Sequence, residues 1–255
     1  MSIEKIKKTV LEGSITAKKG FKNEDYVVDK FNNWQQDCDA KQWLQLMNYK
    51  LEEIEFVKAE KIKGHYKSDV QVQISIKLKQ CIDVENIQVK LVSNTNGFNQ
   101  IDKRWVDKYV ELWNIPNDII DLLKQYTGEI LPNRKTKDKR RTLASEFTEM
   151  EQELLLRWIE DNKLLIITDI LKGRGRFAAE WMLVIRKCKE LNDWVLKPIN
   201  ECINLFGRGK VVISKRGTIS IGKITMQRKG GDGGRNTANM LQFKINPSEL
   251  FYNQH

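Results

Sequence analysis

Between Ser68 and Ser93 the chain alternates apolar and polar residues twice, with a short polar connection between the two runs. In the first run Val70, Val72, Ile74, Ile76 and Leu78 alternate with Asp69, Gln71, Gln73, Ser75 and Lys77, the period of two that gives a strand one apolar face. In the second, Ile87, Val89 and Leu91 take the apolar face, so Gln88 and Lys90 project together from the other. A hairpin closing at about residue 80 pairs the runs antiparallel and sets Asp69 across from Lys90 on the polar side.

One carboxylate, one amide and one ammonium then converge, a set that suits phosphodiester hydrolysis. A hard cation such as Mg²⁺ takes oxygen ligands, keeps several waters and uses only one or two protein carboxylates beside the substrate phosphate. Asp69 supplies the carboxylate. Lys90 supplies an ammonium that orients the nucleophile or stabilises charge on the phosphate. The competing reading is a sheet whose polar face meets water, with Asp69 and Lys90 as a surface ion pair worth about 0–1 kcal/mol. Spacing alone favours that competing reading, because Asp, Lys and strands are all common.

The surrounding segments shift the balance. Asp69 through Lys90 resembles the PD-(D/E)XK signature of the restriction-endonuclease fold, with Ser68-Asp69 as its first element and Gln88-Val89-Lys90 as its second. Ser68 stands in place of Pro, and Gln88 in place of the usual second acid. The closer likeness is to the HinP-type type II restriction endonucleases, which cut GCGC. It is carried by the segments Thr16–Glu24, Tyr66–Asp69, Ile87–Asn94, Gly97–Lys103, Thr136–Arg141, Gly173–Trp181 and Gln227–Lys244. These run in order along nearly the whole chain, and Gln at the second acid position belongs to the subfamily's pattern. The resemblance implies a Mg²⁺-dependent enzyme acting on double-stranded DNA, with Asp69 and Gln88 as metal ligands. It also implies a companion DNA methyltransferase that protects the same site in the host, without a physical complex.

Charge agrees with a polyanionic partner. The 255 residues carry a formal net charge of +10, which favours nucleic acid first and an anionic membrane surface second. From Gly207 to Lys244 there are nine Lys/Arg against one acid, Asp232, and Asn133–Arg141 holds six more bases against Asp138. The four cysteines, Cys38, Cys81, Cys188 and Cys202, lie far apart, and His65 and His255 are the only imidazoles. A structural zinc site is therefore not expected, and reduced, mostly buried thiols are. No apolar run reaches membrane-spanning length, and the N-terminus lacks an apolar leader core, so a cytoplasmic protein is expected.

With 40% hydrophobic residues, no repeat and no low-complexity linker, one domain over residues 1–255 is expected. Val27, Val28, Phe31 and Trp34 share a helical face, as do Trp43, Leu44, Met47 and Leu51. Further helical spacing spans Ile101–Trp113, a stretch from Pro116 to Gly128, and a capping-box start at Thr148 through Glu151. Lys163–Thr168 and Phe177–Ile185 read as buried strands, and Gly217–Arg228 as an edge strand. Helices before and after a set of strands indicate α/β, a mixed central sheet flanked by helices.

Glu24, opening the first helix, is a candidate additional acid, weighed against an ordinary first-turn surface residue. The segment Asn94–Arg104 reads as a loop leaving the active site. In it Phe98 could enter between base steps, or fold back on the core, while Asn99, Gln100 and Lys103 face the duplex. The glycine-rich stretch Gly230–Gly234 lacks the ending of a nucleotide-binding loop. With Gln227, Arg228, Lys229, Arg235 and Asn239 around it, it reads as a close approach to DNA, where Arg and Lys reach guanine edges or phosphate. Two other functions stay open at this point: a mismatch- or structure-directed repair or nicking nuclease of the same fold, and a non-catalytic basic nucleic-acid-binding protein.

Overall fold

The structure, a computed structural model, describes residues 23–62, 71–78, 81–188, 191–231 and 235–252. In chain order its elements are α1 (23–32), α2 (Cys38–Leu46), β1 (Ile54–Lys61), β2 (Gln71–Leu78), β3 (Ile82–Val92), β4 (Asn99–Arg104), α3 (Val106–Trp113), α4 (Asn117–Thr127), α5 (Glu149–Asp161) and α6 (Lys163–Leu171). They continue with β5 (Trp181–Cys188), β6 (Leu191–Pro198), α7 (Ile199–Gly207), β7 (Val211–Ile213), β8 (Ile219–Ile221), β9 (Ile224–Arg228) and β10 (Leu241–Ile245). Among the described residues no helix is long and apolar enough to cross a membrane.

The elements group into two compact units that interleave along the chain. One takes Phe98–Leu171 and Ile203–Ile245; the other takes the described residues up to Gly97, Lys172–Cys202 and the C-terminal segment from Asn246. Among the described residues the divisions fall before β4, after α6, inside α7 and after β10.

The second unit is α/β as expected. Its sheet has the order β1-β2-β3-β5-β6, antiparallel except between β3 and β5. Parallel neighbours need a crossover, and here the crossover is the whole stretch bearing β4 and α3 to α6. The hairpin register pairs Gln71 with Gln88 and Ile76 with Asp83, the register that centres the turn near residue 80. On one face, Val57, Ala59, Ile74, Ile76, Ile87, Val89, Leu183, Ile185 and Leu196 form a core with Val27, Phe31 and Trp34 of the first helical region and Trp43 and Leu44 of α2. Each fully buried aliphatic or aromatic side chain there contributes about 1.5–3 kcal/mol. Asp37 caps α2 by accepting from the Ala40 N–H (2.9 Å), and Lys30 of α1 bonds both Asp37 (2.8 Å) and Asp39 (2.9 Å), tying the two helices together.

The other unit holds an antiparallel sheet of order β4-β10-β9-β8-β7. Three sequence expectations change here. Lys163–Leu171 is a helix, α6, with Ile166, Ile167, Ile170 and Leu171 buried at helical spacing while Leu164 and Leu165 are exposed; the apolar run concealed the period. Gly217–Arg228 is two strands, β8 and β9, and the edges are β4 and β7. Gly222 turns between them at φ 58°, and a Cβ there would stand 2.7 Å from the Gly207 carbonyl oxygen. Ile101 is a strand residue; the helix begins only at Val106.

Buried charge fastens β4. Asp102, 1% exposed, accepts from the Tyr109 hydroxyl (2.6 Å) and Arg104 Nη2 (3.0 Å), and Arg104 Nη1 lies 4.0 Å from Asp169, which accepts from Trp113 Nε1 (3.1 Å). Tyr109 stacks on Trp113 at 4.5 Å, and Phe243 of β10 meets both rings edge-on. The four cysteines are free, but Cys38 and Cys81 are exposed, contrary to the expected burial; only Cys202 is fully enclosed, its thiol pushed up to about 12 by burial.

The capping box at the start of α5 forms as its sequence indicates, Thr148 accepting from the Glu151 N–H and Glu151 from the Thr148 N–H. Arg134 adds two bonds of 2.6 Å to Glu151 and, as the largest cause, holds its carboxyl down at about 2 from an ordinary 4.5. A depressed carboxylate stabilises the fold above its unfolded pKa and loses that contribution as pH falls through the folded one. Arg134→Ala should therefore be less stable than wild type by a gap that is full above pH 4.5 and closes towards pH 2. Denaturant melts across that range would show a pH-independent gap if Arg134 acts only by packing.

Candidate active site

β3 is hydrogen-bonded on both edges, to β2 and to β5, and every residue from Asn86 to Lys90 is buried. Ile87 and Val89 enter the core described above. Asn86, Gln88 and Lys90 point to the opposite face, where Gln88 stands beside Met182 and Lys90 beside Val184 in the parallel register with β5. Both neighbours are 0% exposed. The polar face of this strand is therefore interior at Gln88 and Lys90, so a solvated face does not hold for these two residues. Further along the face Arg186, opposite Val92, pairs with Asp193 and lies 4.0 Å over the Phe251 ring. The C-terminal 3-10 turn Pro247–Phe251 thereby covers that end.

Gln88 is 0% exposed, and neither its Oε1 nor its Nε2 finds a hydrogen-bond partner among the described residues. A buried amide without partners costs about 1–3 kcal/mol and calls for an explanation such as an ion. Two residues on, Lys90 is 5% exposed, and an ammonium held in the interior is one that has partners there. Asp69, the proposed carboxylate, lies outside the described residues. Glu24 lies in α1 and is 7% exposed, so it is not the ordinary surface residue weighed against a functional one. Among the described residues no group of three or more His, Cys, Asp and Glu side chains could hold a metal ion. The residues present still fit a hard cation that keeps most of its waters, because Gln88 Oε1 is a buried oxygen donor with no other described use.

Sequence reasoning missed the groups around Asn86. Its backbone N–H donates to Glu180 Oε2 (2.9 Å), its Nδ2 donates to the Arg176 carbonyl (3.0 Å), and its own carbonyl accepts from the Glu180 N–H (2.9 Å). Asn86, Arg176 and Glu180, with Val28, Ala59 and Lys61, line a cleft of about 1010 Å³. On the core face Glu85 accepts from the Tyr49 hydroxyl (2.8 Å) and Trp181 Nε1 (2.9 Å); burial first, with Glu180 adding to it, raises its carboxyl above the ordinary range. The available signal was that Asn86 falls in step with Gln88 and Lys90.

The residues expected at the DNA belong to the other unit. Asn94 closes a turn by accepting the Asn96 N–H (3.0 Å), and Phe98 follows it at 54% exposure, so it does not fold back on the core. What reads as a continuous loop is this turn plus β4, which carries Asn99, Gln100 and Lys103. β4 and β9 flank β10, so Gln100 and Gln227, far apart in sequence, reach the same strand. Gln242 Nε2 donates to Gln100 Oε1 (2.6 Å), and the register between β10 and β4 shifts between Phe243 and Lys244, where Ile101 and Asp102 are both buried. Arg228 donates twice to Asn239 Oδ1 (3.1 and 2.7 Å), and the Lys229 N–H bonds the Met240 carbonyl. Arg235 is exposed.

The family model described as R.HinP1I restriction endonuclease matches residues 47–251. Among solved structures the chain is similar to restriction endonuclease MspI, crystallised in complex with its cognate DNA, with a TM-score of 0.60 over 87% of each chain at 16% identity; at that identity the likeness establishes the fold. No curated protein matches the chain by sequence.

The orphaned amide gives a test of stability without reference to activity. Gln88→Met, of similar volume and without polar atoms, should unfold in EDTA at a temperature equal to or above wild type, because it removes a polar group left without partners. A clear fall in melting temperature would mean that the Gln88 amide has a stabilising partner in the folded chain.

Proposed function

The chain belongs to the R.HinP1I restriction endonuclease family, and we propose that it is a type II enzyme hydrolysing duplex DNA at a short palindrome, GCGC, with Mg²⁺. The observation that carries the chemical part is the interior polar face of β3, where Gln88 presents an amide without described partners two residues from a buried Lys90. Asp69 and Gln88 hold the cation in this reading, with Glu24 as a further acid. When bound, Mg²⁺ lowers the pKa of a coordinated water and neutralises charge on the phosphate oxygens. Lys90 Nζ orients the attacking water and stabilises the negative charge that grows on the phosphate. The low-dielectric setting of a residue 5% exposed strengthens that interaction relative to water.

DNA recognition falls to the other set. Phe98 enters between base steps, Asn99, Gln100 and Lys103 work beside it, and Gln227, Arg228, Lys229 and Arg235 supply base or phosphate contacts. Asn239 spends its oxygen on Arg228 and its Nδ2 on the Gly128 carbonyl (2.8 Å), so it acts through Arg228. The setting is cytoplasmic, and a companion methyltransferase acting on the same sequence protects the host.

Plasmid digestion with Mg²⁺ and mapping of fragment ends tests the function. Discrete fragments ending at GCGC are expected. Nicks that depend on mismatches point to a repair-type nuclease instead, and intact DNA despite tight binding points to a non-catalytic basic protein.

A further inference from the structure

Three guanidiniums converge beside the C-terminus of α4. Gly128 ends that helix in the left-handed region at φ 84°, and a Cβ there would stand 2.5 Å from the Arg140 carbonyl oxygen, so the Arg140–Arg141 backbone lies directly against it. The Gly128 carbonyl accepts from Asn239 Nδ2 (2.8 Å), and Asn239 Oδ1 holds Arg228 through two bonds. Gly128, Asn239 and Arg228 thus form a continuous chain of contacts to Arg140 and Arg141. Tyr126, two residues before Gly128, lies under Arg141 at 6.0 Å, and the Thr142 N–H bonds the Gln125 carbonyl (2.9 Å), which fixes the segment.

The charges do not balance within the described residues. Asp138 bonds Arg140 through Nε (2.9 Å) and Nη2 (3.1 Å) and stands 3.5 Å from Arg141 Nε. Arg228 bonds a neutral amide, and its guanidinium is held below the ordinary value by burial first and then by Arg140 and Arg141. Arginine keeps its proton regardless, so like charges are gathered at a cost that an anion removes. A phosphate matches the forked donors of arginine.

We propose that Arg140, Arg141 and Arg228, held by Asn239 and Gly128, form a single site for one backbone phosphate of the bound duplex. This rests on the duplex-DNA reading above and assigns Arg228 to phosphate, not to guanine. A contact of this kind positions the protein on DNA and carries no sequence information.

The test is equilibrium binding to a GCGC duplex and a scrambled duplex at several salt concentrations, with Ca²⁺ replacing Mg²⁺. Because one phosphate is shared, Arg140→Ala/Arg141→Ala/Arg228→Ala should flatten the plot of log affinity against log salt by about one unit, equally on both duplexes, with their affinity ratio unchanged. A fall of about two units or more, an unchanged slope, or a collapse of the ratio overturns the site. If that triple variant does not fold, Arg140→Ala, whose side chain is 72% exposed, carries the test. It should weaken both duplexes by the same factor, and no weakening overturns the proposal. Wild-type protein that shows no salt-dependent duplex binding overturns the function itself, whereas wild-type binding with indifferent variants overturns only the shared site.

Discussion

The burial of both faces of β3 is the constraint on which the rest depends. β3 lies in mid-sheet with β2 on one side and β5 on the other, and on its polar face Met182 and Val184, both 0% exposed, stand beside Gln88 and Lys90. The polar residues of this strand are interior because that face, like the opposite one, is shielded from water. Burying an amide and an ammonium opposes folding, and the opposite face offsets that cost with Ile74, Ile76, Ile87 and Val89 packed on α1 and α2.

The antiparallel sheet obeys a related rule. Asp102 and Asp169 are nearly inaccessible, and they are tolerated because Arg104, Tyr109 and Trp113 point donors at them. A network of this kind costs heavily when one partner is removed, so it holds β4 in one position against α3 and α6. That rigidity matters for Gln100 and Lys103, which ride on the same strand, and the bond from Gln242 holds the Gln100 amide in place.

Local pattern made a good part of this legible. The hairpin register, the end of α4 at Gly128 and the capping box at Thr148 each follow from spacing within a few residues, and each is found; the apolar faces expected of the first two helices are buried, but Trp34, Met47 and Leu51 fall beyond the helices that carry the rest. What was not legible depends on distant partners. Nothing near Asn99–Arg104 announces a strand, because its partner β10 lies more than a hundred residues on. The run Leu164–Ile167 looks the same whether it becomes a helix or a buried strand. The burial of Gln88 and Lys90, and the approach of Arg228 through Asn239 to the Gly128 turn beside Arg140 and Arg141, involve residues far apart in sequence; alternation and charge counts carry neither.

On the function proposed above, the interior polar face of β3 is the catalytic one. The most direct measurement is single-turnover cleavage of a GCGC duplex by Lys90→Met, which fills the same space without the charge, alongside its binding to that duplex. The account predicts cleavage reduced by orders of magnitude in a folded variant that still binds specifically. Cleavage at close to the wild-type rate would contradict it.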